Sequence, residues 1–111
     1  MLIDQQSLGS VLLVAVSKGQ SIEKIATLYA AGQRHFAENY VQEALPKIQQ
    51  LPKDIIWHFI GHLQSNKITA IARDFDWIQS IDDFGVAERL NDACMKNAKK
   101  INICICVNMD K

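Results

Sequence analysis

The stretch Val11-Leu12-Leu13-Val14-Ala15-Val16-Ser17-Lys18-Gly19-Gln20 is where the choice of fold begins. Its first six residues are an unbroken apolar run rich in β-branched side chains, the pattern of a strand buried on both faces of a parallel sheet. A doubly wound nucleotide-binding sheet carries a Gly-x-Gly-x-x-Gly turn after such a strand. Ser17-Lys18-Gly19-Gln20 has no such pattern. The nucleotide-binding reading is weakened, and an open doubly wound sheet and a (β/α)8 barrel remain as competing architectures.

The alternation repeats outward from this stretch. Ser21 is placed to cap a helix with Glu23 in its first turn; Ile22, Ile25, Ala26 and Tyr29 recur at helical spacing, and Gly32 stops it. A second strand, His35–Glu38, follows. Asn39 is placed to cap the next helix, which carries Val41, Ala44, Leu45 and Ile48 on one face. Pro46 inside that pattern should kink or split it. Ile55–Ile60 is a third strand ended by Gly61. Ser65 opens a helix with Ile68, Ile71, Ala72 and Phe75 inward. Trp77–Ile81 is a fourth strand, Asp82 or Asp83 caps a helix bearing Val86, Ala87, Leu90, Ala93 and Cys94, and Ile101–Val107 is a fifth strand.

Strict β-α-β alternation implies an α/β protein with a parallel sheet and right-handed crossovers. A full barrel of this type takes ~200–250 residues or more, and the chain has 111. The expectation is one partial domain over residues 1–111: a partial (β/α)8 TIM barrel with about the first five strands and four helices of eight. The ten residues before the first strand read as irregular.

Side-chain parity separates the strand faces. Ile101, Ile103, Ile105 and Val107 share one face of the fifth strand and should meet helices; Asn102, Cys104, Cys106 and Asn108 share the inward one. Likewise Trp57 and Phe59 point outward, and His58, Ile60 and His62 inward. Lys18 shares parity with Val14 and Val16, Asn39 with Ala37, and Asp82 with Ser80. Lys18, Asn39, His62, Asp82 and Asn108 therefore fall at or just past the C-terminal ends of successive strands, 21, 23, 20 and 26 residues apart. In parallel α/β folds that end carries the site.

Lys18 is the most informative of the five. A lysine closing a buried strand loses water, which lowers its pKa, and a neutral amine condenses with an aldehyde to form an imine. The competing reading is a lysine whose head reaches solvent at the sheet rim. Asn39 and Asp82 are helix caps whatever else they do. His62 can polarise a ligand or bond the loop backbone, and His35 reads as a buried, hydrogen-bonded core residue.

Composition narrows the function classes. Lys+Arg and Asp+Glu number 12 each. Phosphate-neutralising nucleic-acid binders show a clustered basic excess, so no nucleic-acid partner is expected. Lys96, Lys99 and Lys100 read as the solvated end of a helix. The longest apolar run, Val11–Val16, is far too short to span a membrane. Cys94, Cys104 and Cys106 are odd in number and lack metal-ligand spacing; Cys104 and Cys106 are same-strand neighbours that would make a strained disulfide. Reduced thiols suggest a cytoplasmic protein.

Three long strings resemble the family of pyridoxal 5′-phosphate (PLP) homeostasis proteins. They are Leu12-Leu13-Val14-Ala15-Val16-Ser17-Lys18, Phe36-Ala37-Glu38-Asn39-Tyr40-Val41-Gln42-Glu43, and Trp57-His58-Phe59-Ile60-Gly61-His62-Leu63-Gln64-Ser65-Asn66-Lys67. Ser80-Ile81-Asp82 and Arg89-Leu90-Asn91 continue the series in the family's order and spacing.

The resemblance implies a barrel like the N-terminal domain of alanine racemase, with PLP held as a covalent imine (Schiff base) on Lys18 and Asn39 near the cofactor. It implies a carrier or buffer of vitamin B6 without robust turnover, with PLP-dependent apo-enzymes as candidate recipients. The family varies at the position of His62. This chain departs from the pattern at Ala37, where the family usually has Gly, and in having about ten residues where the family has a helix before the first strand.

A (β/α)8 barrel usually builds its phosphate site from the loops after strands seven and eight, and these fall beyond the five strands read here. The first and fifth strands should present open edges, through which the chain could self-associate. Two rival readings stand beside the carrier: a PLP-dependent racemase-like enzyme, and a truncated fragment without function. Racemisation needs acid/base groups on both faces of the substrate carbon, and in related racemases one comes from another domain.

Overall fold

A computed structural model describes residues 11–107. Five parallel strands lie side by side in chain order: β1 (Ala15–Val16), β2 (His35–Glu38), β3 (Ile56–Phe59), β4 (Trp77–Ile81) and β5 (Asn102–Ile105). The connecting helices are α1 (Ile22–Ala30), α2 (Val41–Gln50), α3 (Ile68–Asp74) and α4 (Phe84–Lys96), with a 3-10 turn over Ser65–Lys67 leading into α3. A doubly wound sheet reverses its strand order at a switch point. This sheet does not, and the order β1-β2-β3-β4-β5 is that of a partial barrel.

The helices cover one face. Phe36, Trp57, Phe59 and Ile78 point into the same core as Ile25 of α1, Val41 and Ala44 of α2, Ile71 and Ala72 of α3, and Leu90 of α4. Phe59 and Phe75 meet edge to face at 5.3 Å, and Phe36 lies 5.9 Å from Trp57. Burial of each large apolar side chain contributes about 2 kcal/mol. The pairs Val16↔Ala37, Ala37↔His58 and His58↔Trp77 put these residues on the opposite, concave face.

The structure departs from the sequence reading at five places. β1 is an edge strand of two residues, not a strand buried on both faces: Val11, Leu12, Leu13 and Val16 are exposed. Helix α2 runs unbroken through Pro46. Pro46 and Gln42 are both exposed, so water can reach the Gln42 carbonyl that a proline leaves unbonded. The N-cap of α2 is Tyr40, with no side-chain hydrogen bond, so Asn39 is not a cap. Helix α4 is capped by Asp83, whose carboxylate accepts the Gly85 N–H, and not by Asp82. Finally, a β-bulge between Ile78 and Ile81 resets the side-chain alternation of β4. Ile78 and Ile81 both enter the core although three positions apart, so parity with Ser80 does not place Asp82.

The sheet edges behave as expected. β1 and β5 are the outer strands. The Ile103 and Ile105 face of β5, expected to meet helices, is instead 42% and 70% exposed. The expectation of an irregular segment before the first strand, and the placement of Asn108, lie outside the described residues.

Candidate functional site

The C-terminal ends of the strands form a rim, and its first member is a tight turn. The Gln20 N–H donates to the Ser17 carbonyl at 3.1 Å, closing a turn with Lys18 and Gly19 at its centre. Gly19 has φ +71°, the left-handed value that a type II turn needs at this position and that glycine adopts without penalty. The Ser17 N–H continues the β1–β2 ladder to the Ala37 carbonyl at 2.9 Å. Ser17 is buried against Glu38 on the helix side. Lys18 is exposed. The loss of water expected for a lysine closing a buried strand is absent, because β1 lies at the sheet edge.

Behind this turn is a buried polar cluster that the sequence reading missed. Glu38 is fully buried, and the Lys47 side chain of α2 is 6% exposed. The Lys47 ammonium donates to Glu38 Oε2 at 2.9 Å, to Glu43 Oε2 at 2.7 Å and to the Ser17 carbonyl at 2.9 Å. The Ser17 hydroxyl donates to Glu38 Oε2 and to the Ala37 carbonyl. Glu43 Oε2 also accepts the Gly19 N–H at 2.5 Å. Burial alone would push the Lys47 pKa down, but its bonds to Glu43 and Glu38 win and hold it above its ordinary value. The Lys47 bond, aided by the Gly19 N–H, holds Glu43 below the usual carboxylate range. The i,i+4 spacing of Glu43 and Lys47 was the signal available in the sequence.

Asn39 and His62 come together. They line one small cleft of about 100 Å³ with Tyr40, Gln42, Phe59 and Lys67. Asn39 is half-buried, and its side-chain oxygen is buried with no partner among the described residues. Gly61 makes this packing possible, since a Cβ there would stand 2.0 Å from the Asn39 carbonyl oxygen. His62 and Asp82 are both exposed. The rim order Lys18, Asn39, His62, Asp82 therefore follows β1 to β4.

The concave face carries a histidine pair. His35 Nδ1 lies 2.9 Å from His58 Nε2, and Gln79 Nε2 lies 2.8 Å from His58 Nδ1. With the Gln79 amide donating, neutral His58 accepts at Nδ1 and donates from Nε2 to His35. His58 also stacks on Trp77 at 5.7 Å. Burial, and then the neighbouring His35, lower its pKa to about 4, against a weaker opposing pull from Asp76. Burial also lowers the pKa of His35. The expectation of a buried, hydrogen-bonded His35 is met in its bonding; its burial is partial. Among the described residues no three His, Cys, Asp or Glu side chains gather as a metal site.

Residues 4–111 match the alanine racemase N-terminal domain family. The chain belongs to that family. Among its relatives is a pyridoxal phosphate homeostasis protein of Vibrio alginolyticus, 44% identical over 114 residues, with 95% of this chain and 49% of the relative covered. Another of the same name, from Escherichia coli K12, is 43% identical over 103 residues, covering 89% and 44%. The chain spans about half the length of the curated relatives it matches. PipY of Synechococcus elongatus, solved with PLP bound, superposes with a TM-score of 0.86 at 44% identity, covering 91% of this chain and 49% of PipY. PipY solved without PLP gives a TM-score of 0.87. The family resemblance read from the three strings, and the partial barrel it implied, thus hold.

Proposed function

We propose that this chain binds PLP covalently through Lys18 and takes part in vitamin B6 homeostasis without catalytic turnover. The observation that carries the reading is the position of Lys18. It is an exposed amine on a tight turn at the sheet rim, in a chain 44% identical to a structure solved with PLP bound. PLP supplies an aldehyde. The Lys18 amine adds to its carbonyl carbon, water leaves, and a C=N bond joins the two.

The residues present fit the aldehyde end of the cofactor. Besides the reachable amine, Asn39 has an amide oxygen that lacks a partner among the described residues. Asn39, His62, Asp82 and Asn108 are proposed to flank the ring. The phosphate end is less well provided for. Barrels of this type usually hold phosphate after strands seven and eight, and the described residues form five strands. Binding by these residues alone is therefore proposed to be weak and to need excess ligand.

What supports the absence of turnover is that the relatives are pyridoxal phosphate homeostasis proteins; on the concave face, His58 is buried and neutral near pH 7. Release of PLP to apo-enzymes, a cytoplasmic location for the free thiols Cys94, Cys104 and Cys106, and self-association through the β1 and β5 edges complete the proposal. Among the described residues no helix is long and apolar enough to cross a membrane. Titration with PLP, followed by the long-wavelength absorbance of its imine, should give a signal in the wild type that Lys18→Ala loses. Equal signals would overturn the site, and interconversion of D- and L-alanine would overturn the absence of turnover.

A further inference from the structure

We propose that Glu43, Lys47 and Glu38 are positioning residues that hold the turn on both sides of Lys18 and so preorganise its amine for the cofactor aldehyde. The proposal rests on the reading of Lys18 as the cofactor lysine. Its basis is where the cluster's bonds end. Lys47 donates to the carbonyl of Ser17, the residue before Lys18, at 2.9 Å. Glu43 accepts the N–H of Gly19, the residue after it, at 2.5 Å. Glu38 takes the Ser17 hydroxyl. Three charged side chains from β2 and α2 thus converge on the residues that flank one exposed lysine. The Lys18 side chain itself has no hydrogen-bond or ion-pair partner among the described residues.

The turn needs such a hold. β1 has two residues and, among the described residues, pairs with β2 alone, so the sheet grips the turn from one side. Gly19, at φ +71°, brings backbone freedom with it. Bonds to ionised groups are about twice as strong as neutral ones, and burial of the Lys47–Glu38 pair shields it from salt and solvent. Lys47 has three N–H donors, and Glu38, Glu43 and the Ser17 carbonyl take one each. The Glu43 bond to the Gly19 N–H is not needed to satisfy the buried ammonium. Holding a reactive group in its bound geometry raises affinity by cutting the ordering cost of binding.

Glu43→Ala tests this, because the Glu43 side chain is 32% exposed whereas Lys47 and Glu38 are buried. Glu43→Ala removes the bonds from the Gly19 N–H and from Lys47; the apparent affinity for PLP of the Lys18 imine should fall about tenfold, the size expected when the charge-assisted bond to the turn is lost. Gly19 amide exchange should speed up in the unliganded chain, and Glu43→Gln, which keeps an acceptor, should restore most of the affinity. Ser17→Ala should weaken the imine in the same direction from the other side of the turn. A purely structural role would lower the unfolding midpoint while leaving the affinity of the folded chain unchanged. If the wild type forms the imine and neither Glu43→Ala nor Ser17→Ala weakens it, the positioning role is overturned. If the wild type forms no Lys18 imine, the reading of Lys18 falls and takes this proposal with it.

Discussion

Acid should destabilise this chain through His58, beginning above the pH at which carboxylates titrate. His58 is 2% exposed, accepts from the Gln79 amide and lies against His35. Burial first, and His35 second, lower its pKa from 6.5 to about 4. Between these values the unfolded chain takes up a proton that the folded chain refuses. Stability is therefore full above 6.5 and is lost as the pH falls toward 4. One pKa unit corresponds to about 1.4 kcal/mol, so the loss reaches about 2 kcal/mol near pH 5 and about 3 kcal/mol at its limit. Protonation would also place an N–H at Nδ1 against the Gln79 amide donor, which must turn over to accept it. The lowered pKa of His35 acts in the same direction. Urea unfolding at a series of pH values from about 8 to 5 measures the effect, with His58→Gln in parallel. The variant should show a much flatter pH dependence. Equal slopes for the two proteins would refute the assignment of the loss to His58.

Two further perturbations probe the packing around the rim. Gly61→Ala would put a methyl 2.0 Å from the Asn39 carbonyl oxygen. Backbone must move, and a loss of about 3 kcal/mol or more is expected in urea unfolding; a wild-type midpoint would contradict the close approach. Asp83→Ala should cost about 1 kcal/mol by removing the cap on the Gly85 N–H, whereas Asp82→Ala should leave stability nearly unchanged. The reverse order in thermal unfolding would contradict the assignment of the cap.

The strand-helix alternation was legible because it is written in local periodicity. His35–Glu38 and Trp77–Ile81 form strands over the residues expected, and Trp57 and Phe59 face the core as parity implied. Local pattern could not show that Val11–Val16 lies at an edge, since apolar runs look alike whether one neighbour or two will cover them. Nor could parity survive the β4 bulge, which inserts a residue without any Gly or Pro to mark it. Asn39 looked like a cap because asparagine often is one; its oxygen instead lies buried, with no partner among the described residues. The cluster behind Lys18 escaped because Ser17, Glu38 and Lys47 lie far apart in sequence and each is an ordinary polar residue by itself. Only tertiary packing brings a buried ammonium to the Ser17 carbonyl.

The central claim is that Lys18, among all the lysines of the chain, is the one that takes the cofactor. Reduction with borohydride after incubation with PLP fixes any imine as a stable amine, and peptide mass mapping locates it. Label should be concentrated on Lys18 and be lost from the chain in Lys18→Ala. Label spread evenly over exposed lysines such as Lys24 and Lys96, or unchanged in total when Lys18 is replaced, would contradict it.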